Sequence, residues 1–344
     1  MTSAWQDFLC ARGARIEAGA VNHFGDAAAE LRAARDGGIV APLAHLGLIG
    51  CSGDDAQSFL HGQLSNDVKQ VTPVHSEYAA YCSAKGRMLA NFLLWQEDRA
   101  YCLQLARDLL PAVQKRLAMF VLRAKVRLVD ASASRPVLGL AGKAAAGALR
   151  ELFPALPAQA HQVVRDAAKG TLIALPGERF QLIAEAEAAE GLWDRLAAAL
   201  TPVGTPCWEW LEIRNGIPLI TPATQEQFVP QMANMELIGA VNFQKGCYPG
   251  QEIVARTQYL GQLKRRMVLA HVAAEAPPQA GDGLFSSDLD GQASGMVVNA
   301  QAAPDGGFDL LAVVQTAGSA QAALHFRSAD GPILSIQPLP YPLP

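Results

Sequence analysis

The sequence lacks any pair of cysteines at the spacing of a metal or redox motif. Its six cysteines are spread along the chain, at Cys10, Cys51, Cys82, Cys102, Cys207 and Cys247. Structural zinc and iron–sulfur sites usually take two ligands from one closely spaced pair, and disulfide-stabilised domains are short and rich in cysteine. We therefore expect reduced thiols, with neither a disulfide framework nor a local metal centre.

Charged residues are also scarce, and neither sign predominates. They make up 17% of the chain, and 28 Lys and Arg stand against 32 Asp and Glu, for a net charge of -4. Generic nucleic-acid binding depends on an excess of positive charge, so no direct nucleic-acid partner is predicted. The short basic run Lys264–Arg266 is more typical of a solvated face.

Long apolar segments are missing too. No uninterrupted apolar stretch reaches the roughly 18 residues that would indicate a membrane span. The first 15 residues include Asp7 and have no continuous apolar run of the kind found in secretory signals. The expectation is a soluble, cytoplasmic protein with no membrane partner.

The common motifs of nucleotide-binding proteins and hydrolases do not occur. The sequence has no GxGxxG, P-loop, HExxH or GxSxG pattern. His45, His61 and His75 share no metal-ligand spacing and are interpreted as core or surface residues. The commonest hydrolase and nucleotide-dependent reactions therefore lose support.

What the sequence does have is enough apolar material for several cores. Half of its 344 residues are hydrophobic, and a chain of this length is expected to form two or three domains. From Ala44 to Val129 the pattern predicts the order β-α-β-β-β-α-β, close to a ferredoxin-like unit with an extra strand. A similar order follows from Pro136 to Asn215. From Met267 on, short apolar runs alternate with turns, which predicts a small β-barrel or sandwich.

The most informative stretch runs from Lys245 to Arg256. Pro249 suits the first turn of a helix, which would place Cys247 just before the unpaired N–H groups of the helix end. Those groups and Lys245 would stabilise a thiolate. Gly246 and Gly250 would allow the backbone to approach a ligand or partner closely. Because a free cysteine is also commonly a small buried hydrophobe, the spacing alone leaves both interpretations of Cys247 open.

This stretch resembles a known family signature. Lys245-Gly246-Cys247-Tyr248 followed by Gly250-Gln251-Glu252 is similar to the KGCYxGQE signature of the YgfZ family. Further blocks from about Leu43 to the C-terminus resemble the same family, at Leu46–Ile49, Gly53–Ala56, Phe59–Val68, Ala84–Met88, Ile217–Pro218, Phe228–Asn234 and Pro338–Tyr341.

The resemblance implies the fold of glycine-cleavage T-proteins, a three-domain ring with two interlaced ferredoxin-like α+β units and a C-terminal β-barrel. The fold class expected is thus α+β. The corresponding boundaries are a folate-binding domain of residues 1–45 and 131–262, a second α+β domain of 46–130, and a β-barrel of 263–344. The chain-order pattern alone could not have indicated the interlacing.

The resemblance also implies a function. It implies tetrahydrofolate binding and assistance to iron–sulfur enzymes, including those that modify tRNA, with the signature cysteine as the key residue. That makes Cys247 the expected catalytic residue and iron–sulfur enzymes the expected transient partners. The expected folate-binding residues lie in or beside the matching blocks: Asn66, Tyr81, Met232, Asn234, Lys245 and Gln251. The expected supporting residues of the signature are Gly246, Tyr248, Gly250, Glu252 and Arg256.

Two positions depart from the T-protein pattern. T-protein aminomethyltransferases carry an acidic pair after the central hairpin glycine, where this chain has Ala90 and Asn91, neither of which can act as a general base. An acidic residue that contacts the pterin in T-proteins falls at Arg214. The first departure argues against glycine-cleavage activity, and the second puts the pterin contacts in question.

Three hypotheses follow from the sequence. The leading one is a tetrahydrofolate-binding accessory protein whose Cys247 acts on, or protects, clusters in client enzymes. The alternative is a folate-dependent one-carbon transferase or demethylase, disfavoured by the missing acidic pair. The third is a non-enzymatic docking protein in which Cys247 only packs. Lys245 is expected to meet the anionic glutamate tail of folate.

Overall fold

The computed structural model describes residues 2–261, 263–286, 292–315 and 323–343. These residues fall into two compact units, each built from separate stretches of chain. Unit 1 contains residues 2–56, 69–77 and 93–211, and unit 2 contains residues 57–68, 78–92 and those from 212 on. The domain boundaries at residues 45, 130 and 262 stay a prediction.

The described residues form helices and strands of short to moderate length. The helices are α1 Ser3–Cys10, α2 Ala27–Asp36, α3 Ala56–His61, α4 Leu110–Ala118, α5 Lys143–Arg150, α6 Ala189–Ala197, α7 Thr205–Arg214 and α8 Gln251–Tyr259. The first ten strands are β1 Arg15–Glu17, β2 Ala20–His23, β3 Ile39–Pro42, β4 Leu46–Ser52, β5 Glu77–Cys82, β6 Met88–Glu97, β7 Ala100–Ala106, β8 Arg127–Asp130, β9 Val137–Ala141 and β10 Val163–Asp166. The others are β11 Gly170–Leu175, β12 Arg179–Ala184, β13 Thr201–Pro202, β14 Arg265–Val272, β15 Gly283–Ser286, β16 Ala293–Ala302, β17 Phe308–Gln315, β18 Leu324–Phe326 and β19 Ser335–Gln337.

The predicted order β-α-β-β-β-α-β is confirmed by β4, α3, β5, β6, β7, α4 and β8. The strands form a five-stranded sheet in the order β5-β6-β7-β4-β8. Strand β6 is buried along nearly its whole length, which explains why its sequence reads as a continuous apolar run.

A second, six-stranded sheet in unit 1 has the order β10-β11-β12-β9-β3-β13. Its central strands β9 and β12 pair antiparallel, with Leu138 opposite Leu182. These two residues belong to a buried cluster that also holds Trp5 and Trp193. The cluster explains the N-terminal segment, for which the sequence indicated no structure: α1 is there because Trp5 and Leu9 complete this core.

The C-terminal part is all-β wherever the structure describes it, as predicted. Strands β14 to β19 form a six-stranded antiparallel sheet in the order β18-β15-β16-β17-β14-β19. Its core contains Val272, Leu284, Leu310 and Phe326. Among the described residues of the whole chain, the search for a helix both long and apolar enough to cross a membrane finds none.

Candidate functional site

Two distant stretches of unit 2 meet at the predicted site. The Ser65 hydroxyl donates to the Ala240 carbonyl oxygen at 2.7 Å, and the Asn242 N–H donates to the Ser65 carbonyl oxygen at 3.0 Å. The Asn66 amide donates to the carbonyl oxygens of Tyr78, at 2.8 Å, and Gly239, at 2.7 Å. The loop after α3 is thereby joined to the segment that leads into the signature.

Lys245, the first residue of the signature, joins the same two stretches of chain. Its ammonium donates to the carbonyl oxygens of His61 and Leu64, the latter at 2.6 Å, and lies 5.0 Å from the centroid of the Tyr248 ring. The residue is only 8% exposed. A buried ammonium must be satisfied by acceptors, so Lys245 fixes the loop in place. Its contact with a folate tail stays a prediction.

Cys247 is exposed on this loop, in contrast to most other thiols of the chain. Cys51, Cys82 and Cys207 are buried and Cys102 is half-buried. Burial raises the pKa of each of these four thiols to about 12, so they remain protonated and unreactive near neutral pH. Cys10, in unit 1, is the other exposed cysteine.

The helix after the signature begins later than the sequence indicated. Gly250 is its N-cap in a left-handed conformation, with φ of +80°, and the first helical residue is Gln251. Pro249 therefore lies outside the helix instead of in its first turn. The effect of the helix end falls off within a turn, so Cys247, three residues before the cap, lies farther from it than predicted.

Gly250 is required by the protein's own packing. A Cβ atom at this position would lie 2.4 Å from the Ser83 carbonyl oxygen and 2.6 Å from the Gly86 Cα atom. The close approach is made by the turn of the β5–β6 hairpin. The sequence predicts a close approach at Gly250 by a ligand or partner, and among the described residues the hairpin turn makes such an approach.

Some of the remaining residues of the signature pack inside the protein, and others are exposed at its surface. Tyr248 is buried, and burial raises the pKa of its hydroxyl. The Gln251 side-chain amide donates to the Lys245 carbonyl oxygen at 3.4 Å. Glu252 and Arg256 are exposed on α8, and Gly246 is exposed at the loop surface. Tyr248 and Gln251 thus hold the loop against the helix, while Glu252 and Arg256 remain accessible.

Of the predicted folate-binding residues, Asn66, Tyr81 and Lys245 gather around the loop after α3. Tyr81 is buried and forms an isolated β-bridge with Leu64, whose carbonyl oxygen Lys245 binds. Met232 and Asn234 lie in and after a short 3-10 helix, Pro230–Ala233. The structure therefore brings the predicted residues into one unit, and their contact with folate stays a prediction.

A buried polar network surrounds Asn234. Its side-chain amide donates to the Met267 carbonyl oxygen at 2.9 Å, and its oxygen accepts from the Arg266 guanidinium at 3.3 Å. The same guanidinium donates to the Gln231 carbonyl oxygen and forms an ion pair with Glu236. The Tyr341 hydroxyl lies 3.5 Å from the Asn234 amide and donates to the Gly216 carbonyl oxygen.

Two acceptors in this network have no hydrogen-bond partner among the described residues. They are Glu236 Oε2, on a side chain only 7% exposed, and Gln231 Oε1, on a residue that is fully buried. Burial raises the pKa of Glu236, while the ion pair with Arg266 opposes that shift. A buried acceptor without a donor is costly. Both atoms are therefore acceptors that the described residues leave without a donor.

The positions of the missing acidic pair have a structural role. Ala90 is fully buried, and Asn91 is 7% exposed. The Asn91 amide donates to the Pro218 carbonyl oxygen at 2.8 Å, and its oxygen accepts from the Ile220 N–H at 2.8 Å. Both ends of the amide are used by the backbone of one loop, and no general base stands at either position.

Arg214 is likewise engaged by the protein. Its guanidinium donates to the Gln337 side-chain oxygen and lies 3.6 Å from an oxygen of Asp309. Asp309 also contacts the His271 ring at 2.9 Å. Arg214 therefore binds two residues of the C-terminal sheet within unit 2.

Sequence reasoning missed Glu236 and Gln231 as candidate site residues. Gln231 lies inside the block Phe228–Asn234, and Glu236 follows it by two residues. The available signal was an acidic side chain in an otherwise apolar stretch, Met235–Ala240. Its burial beside Arg266 depends on a contact across 30 residues, which one sequence does not reveal.

The model of the GCVT N-terminal domain matches residues 20–245. Glycine cleavage system aminomethyltransferase T from Bartonella henselae is similar in structure, at 18% identity and a TM-score of 0.77, over 99% of this chain and 97% of that one. At this identity the likeness shows the fold alone, and it confirms the predicted α+β, T-protein-like fold class.

A second solved structure matches part of the chain. Heterotetrameric sarcosine oxidase from Corynebacterium sp. U-96, in complex with pyrrole 2-carboxylate, is 20% identical over 50% of this chain and 90% of that chain. Its TM-score of 0.38 is too low to support an argument about this protein.

Proposed function

This chain belongs to the GCVT N-terminal domain family, and from that premise we propose that it is a tetrahydrofolate-binding accessory protein of the YgfZ type. It assists assembly or repair of iron–sulfur enzymes, including enzymes that modify tRNA, through Cys247. The observation that carries the proposal is an exposed Cys247 on a loop that the buried Lys245 anchors. Contact with a client is transient, because one thiol cannot hold a cluster alone.

The buried acceptors of unit 2 support the folate part of the proposal. The pterin ring of tetrahydrofolate presents several N–H donors, and Glu236 Oε2 and Gln231 Oε1 are acceptors without a partner among the described residues. Met232 and Asn234 lie between them in the sequence. When bound, tetrahydrofolate supplies a carrier for one-carbon groups. The role of this chain is to bind and orient it, with Glu236 and Gln231 accepting hydrogen bonds.

The alternative, a folate-dependent one-carbon transferase, is less well supported. Such a reaction needs a positioned base, and the amide of Asn91 is satisfied by the backbone of residues 218–220. Ala90 offers no polar group. The GCVT family match alone does not distinguish the two functions, and the local chemistry at residues 90 and 91 supports the accessory role.

We also place the protein in the cytoplasm. Its exposed thiols, Cys10 and Cys247, are suited to a compartment that keeps cysteines reduced, and an accessory role in cluster repair needs the reduced form of Cys247.

Titration of the protein with tetrahydrofolate, monitored by calorimetry, tests the folate part of the proposal. Glu236→Gln keeps the size of the side chain but removes its charge, so we expect tetrahydrofolate affinity to fall by about tenfold, the effect of weakening a charged hydrogen bond. Glu226→Gln changes an exposed carboxylate of the same unit and should bind as the unaltered protein does. If the unaltered protein does not bind tetrahydrofolate, the folate proposal is wrong. If it binds and Glu236→Gln binds equally well, the assignment of Glu236 is wrong.

A further inference from the structure

His61 contacts the loop that carries Cys247. It is the last residue of α3, and its carbonyl oxygen accepts the Lys245 ammonium. A Cβ atom placed on Gly246, the neighbour of Cys247, would lie 3.5 Å from His61 Nε2. With a hydrogen at this position instead of a side chain, the imidazole edge and the backbone beside Cys247 are close together.

The Asp67 carboxylate lies beside the Nδ1 edge of the His61 ring. The distance from His61 Nδ1 to Asp67 Oδ1 is 3.1 Å, and the side chains are 16% and 18% exposed. A carboxylate beside Nδ1 favours the proton on that nitrogen, which leaves the lone pair on Nε2. It also stabilises the imidazolium once Nε2 takes up a proton. The ring is therefore oriented with its basic nitrogen toward the signature loop.

We propose that His61, positioned by Asp67, accepts the proton of the Cys247 thiol. The S–H bond breaks, the proton moves to Nε2, and a thiolate and an imidazolium result, so charge and protons balance without another reactant. The thiolate is the reactive form of cysteine, both as a nucleophile and toward a soft metal. His61 thus sets the pH range in which Cys247 is reactive, a property independent of any folate or client.

Other ionisable groups near this pair act in defined directions. The Lys245 ammonium carries the nearest positive charge on the signature itself, and its bonds to the His61 and Leu64 carbonyl oxygens offset part of that charge. Glu252, exposed in the first turn of α8, opposes thiolate formation if its side chain approaches the sulfur. Tyr248 and Cys82 are buried, and their raised pKa values keep both neutral at physiological pH. Asp67 is the carboxylate that contacts the ring.

The test is the rate at which iodoacetamide alkylates Cys247 as a function of pH. The full chain carries Cys10→Ser in every variant, which removes the other exposed thiol, and the adduct is located by peptide mass spectrometry. His61→Gln keeps a polar side chain of similar reach but cannot hold the proton. His75→Gln, in unit 1, is the matched control. Asp67→Asn provides a second test that leaves the imidazole in place.

The proposal predicts that alkylation of His61→Gln is slower by about tenfold near pH 6.5, corresponding to a shift of one pH unit in the profile. The rates should converge near pH 10, where the thiolate forms without help. Asp67→Asn should shift the profile in the same direction by less, and His75→Gln should follow the unaltered protein. Identical profiles for His61→Gln and the unaltered protein would overturn the proposal. So would a slowing of equal size at every pH, because that indicates altered access to Cys247. If His61→Gln does not fold, an unshifted profile for Asp67→Asn overturns it.

Discussion

At the residue scale, the chain separates one accessible thiol in unit 2 from thiols that its cores protect. Cys247 is exposed on the signature loop, whereas Cys82, in the same unit, is buried. The two cysteines differ in exposure because of where they lie in the fold: Cys82 is the last residue of the buried strand β5. Exposure of Cys247 was predicted from its sequence context and from the family resemblance together. The spacing alone had left a buried role equally open.

The protected thiols make stability depend on pH in the alkaline range. Burial raises the pKa of Cys51, Cys82, Cys102 and Cys207 to about 12, whereas an unfolded thiol titrates near pH 8.5. The unfolded chain therefore releases these protons first, and their contribution to stability is complete below about pH 8.5 and is lost as pH rises toward 12. We expect the urea midpoint of unfolding to fall between pH 8.5 and 10.5.

The measurement is a series of urea titrations at fixed ionic strength. Cys207→Ala removes one of the four thiols, so its midpoint should fall less steeply with pH than that of the unaltered protein. Tyr341, whose pKa burial raises to about 12, contributes in the same direction in both proteins. A midpoint that stays constant or rises over this pH range would contradict the assignment.

At the element scale, the regular patterns of the sequence predicted much of the fold. Strand β7 and the hairpin of β5 and β6 were found because apolar runs there are bounded by clear turns, Ala84–Gly86 and Glu97–Arg99. Strand β13 was missed because two residues, Thr201–Pro202, carry no pattern. It exists because it pairs in parallel with β3, a contact that only the folded chain supplies.

The start of α8 shows why the site was harder to predict than the fold. Pro249 is a good first residue of a helix, and local preference favoured a start there. The folded chain instead uses Gly250 in a left-handed conformation, because the β5–β6 turn approaches too closely for any side chain. Likewise, His61 and Lys245 are separated by 184 residues, so no local pattern indicates that they meet.

Asn91, on β6, forms two hydrogen bonds with the loop of residues 218–220, and these bonds give a prediction at this scale. Asn91→Asp replaces the amide that donates to the Pro218 carbonyl oxygen with a carboxylate that repels it. Because the residue is buried, we expect the free energy of unfolding to fall by about 1–3 kcal/mol. A carboxylate at position 91 should not by itself create aminomethyltransferase activity, because it would still accept the Ile220 N–H and position 90 would remain an alanine.

Urea unfolding and an aminomethyl-transfer assay check the two parts of this prediction. Asn242→Asp is the matched control, because among the described residues the Asn242 side chain accepts one hydrogen bond, from the Gln244 N–H, and a carboxylate retains it. If Asn91→Asp is as stable as the unaltered protein and transfers aminomethyl groups to tetrahydrofolate, the structural interpretation of this position is wrong.

At the scale of the whole molecule, a T-protein-like fold carries an exposed cysteine and a buried polar network in one unit. The fold matches aminomethyltransferase T with a TM-score of 0.77, but the acidic pair is absent and Arg214 joins the C-terminal sheet. What remains is a buried polar network around Asn234 and an exposed Cys247 in the same unit. The resemblance predicted the fold, whereas the partners of Arg214, Asn91 and Glu236 depended on contacts that only the structure reveals.

The central claim is that Cys247 acts in support of iron–sulfur enzymes, and one measurement tests it most directly. The activity of an iron–sulfur tRNA-modifying enzyme is measured in a strain that lacks this protein and is supplied with variants expressed at equal levels. The unaltered protein and Cys10→Ser should restore that activity, and Cys247→Ser, folded and still able to bind tetrahydrofolate, should not. Full restoration by Cys247→Ser, or none by the unaltered protein, would contradict the account.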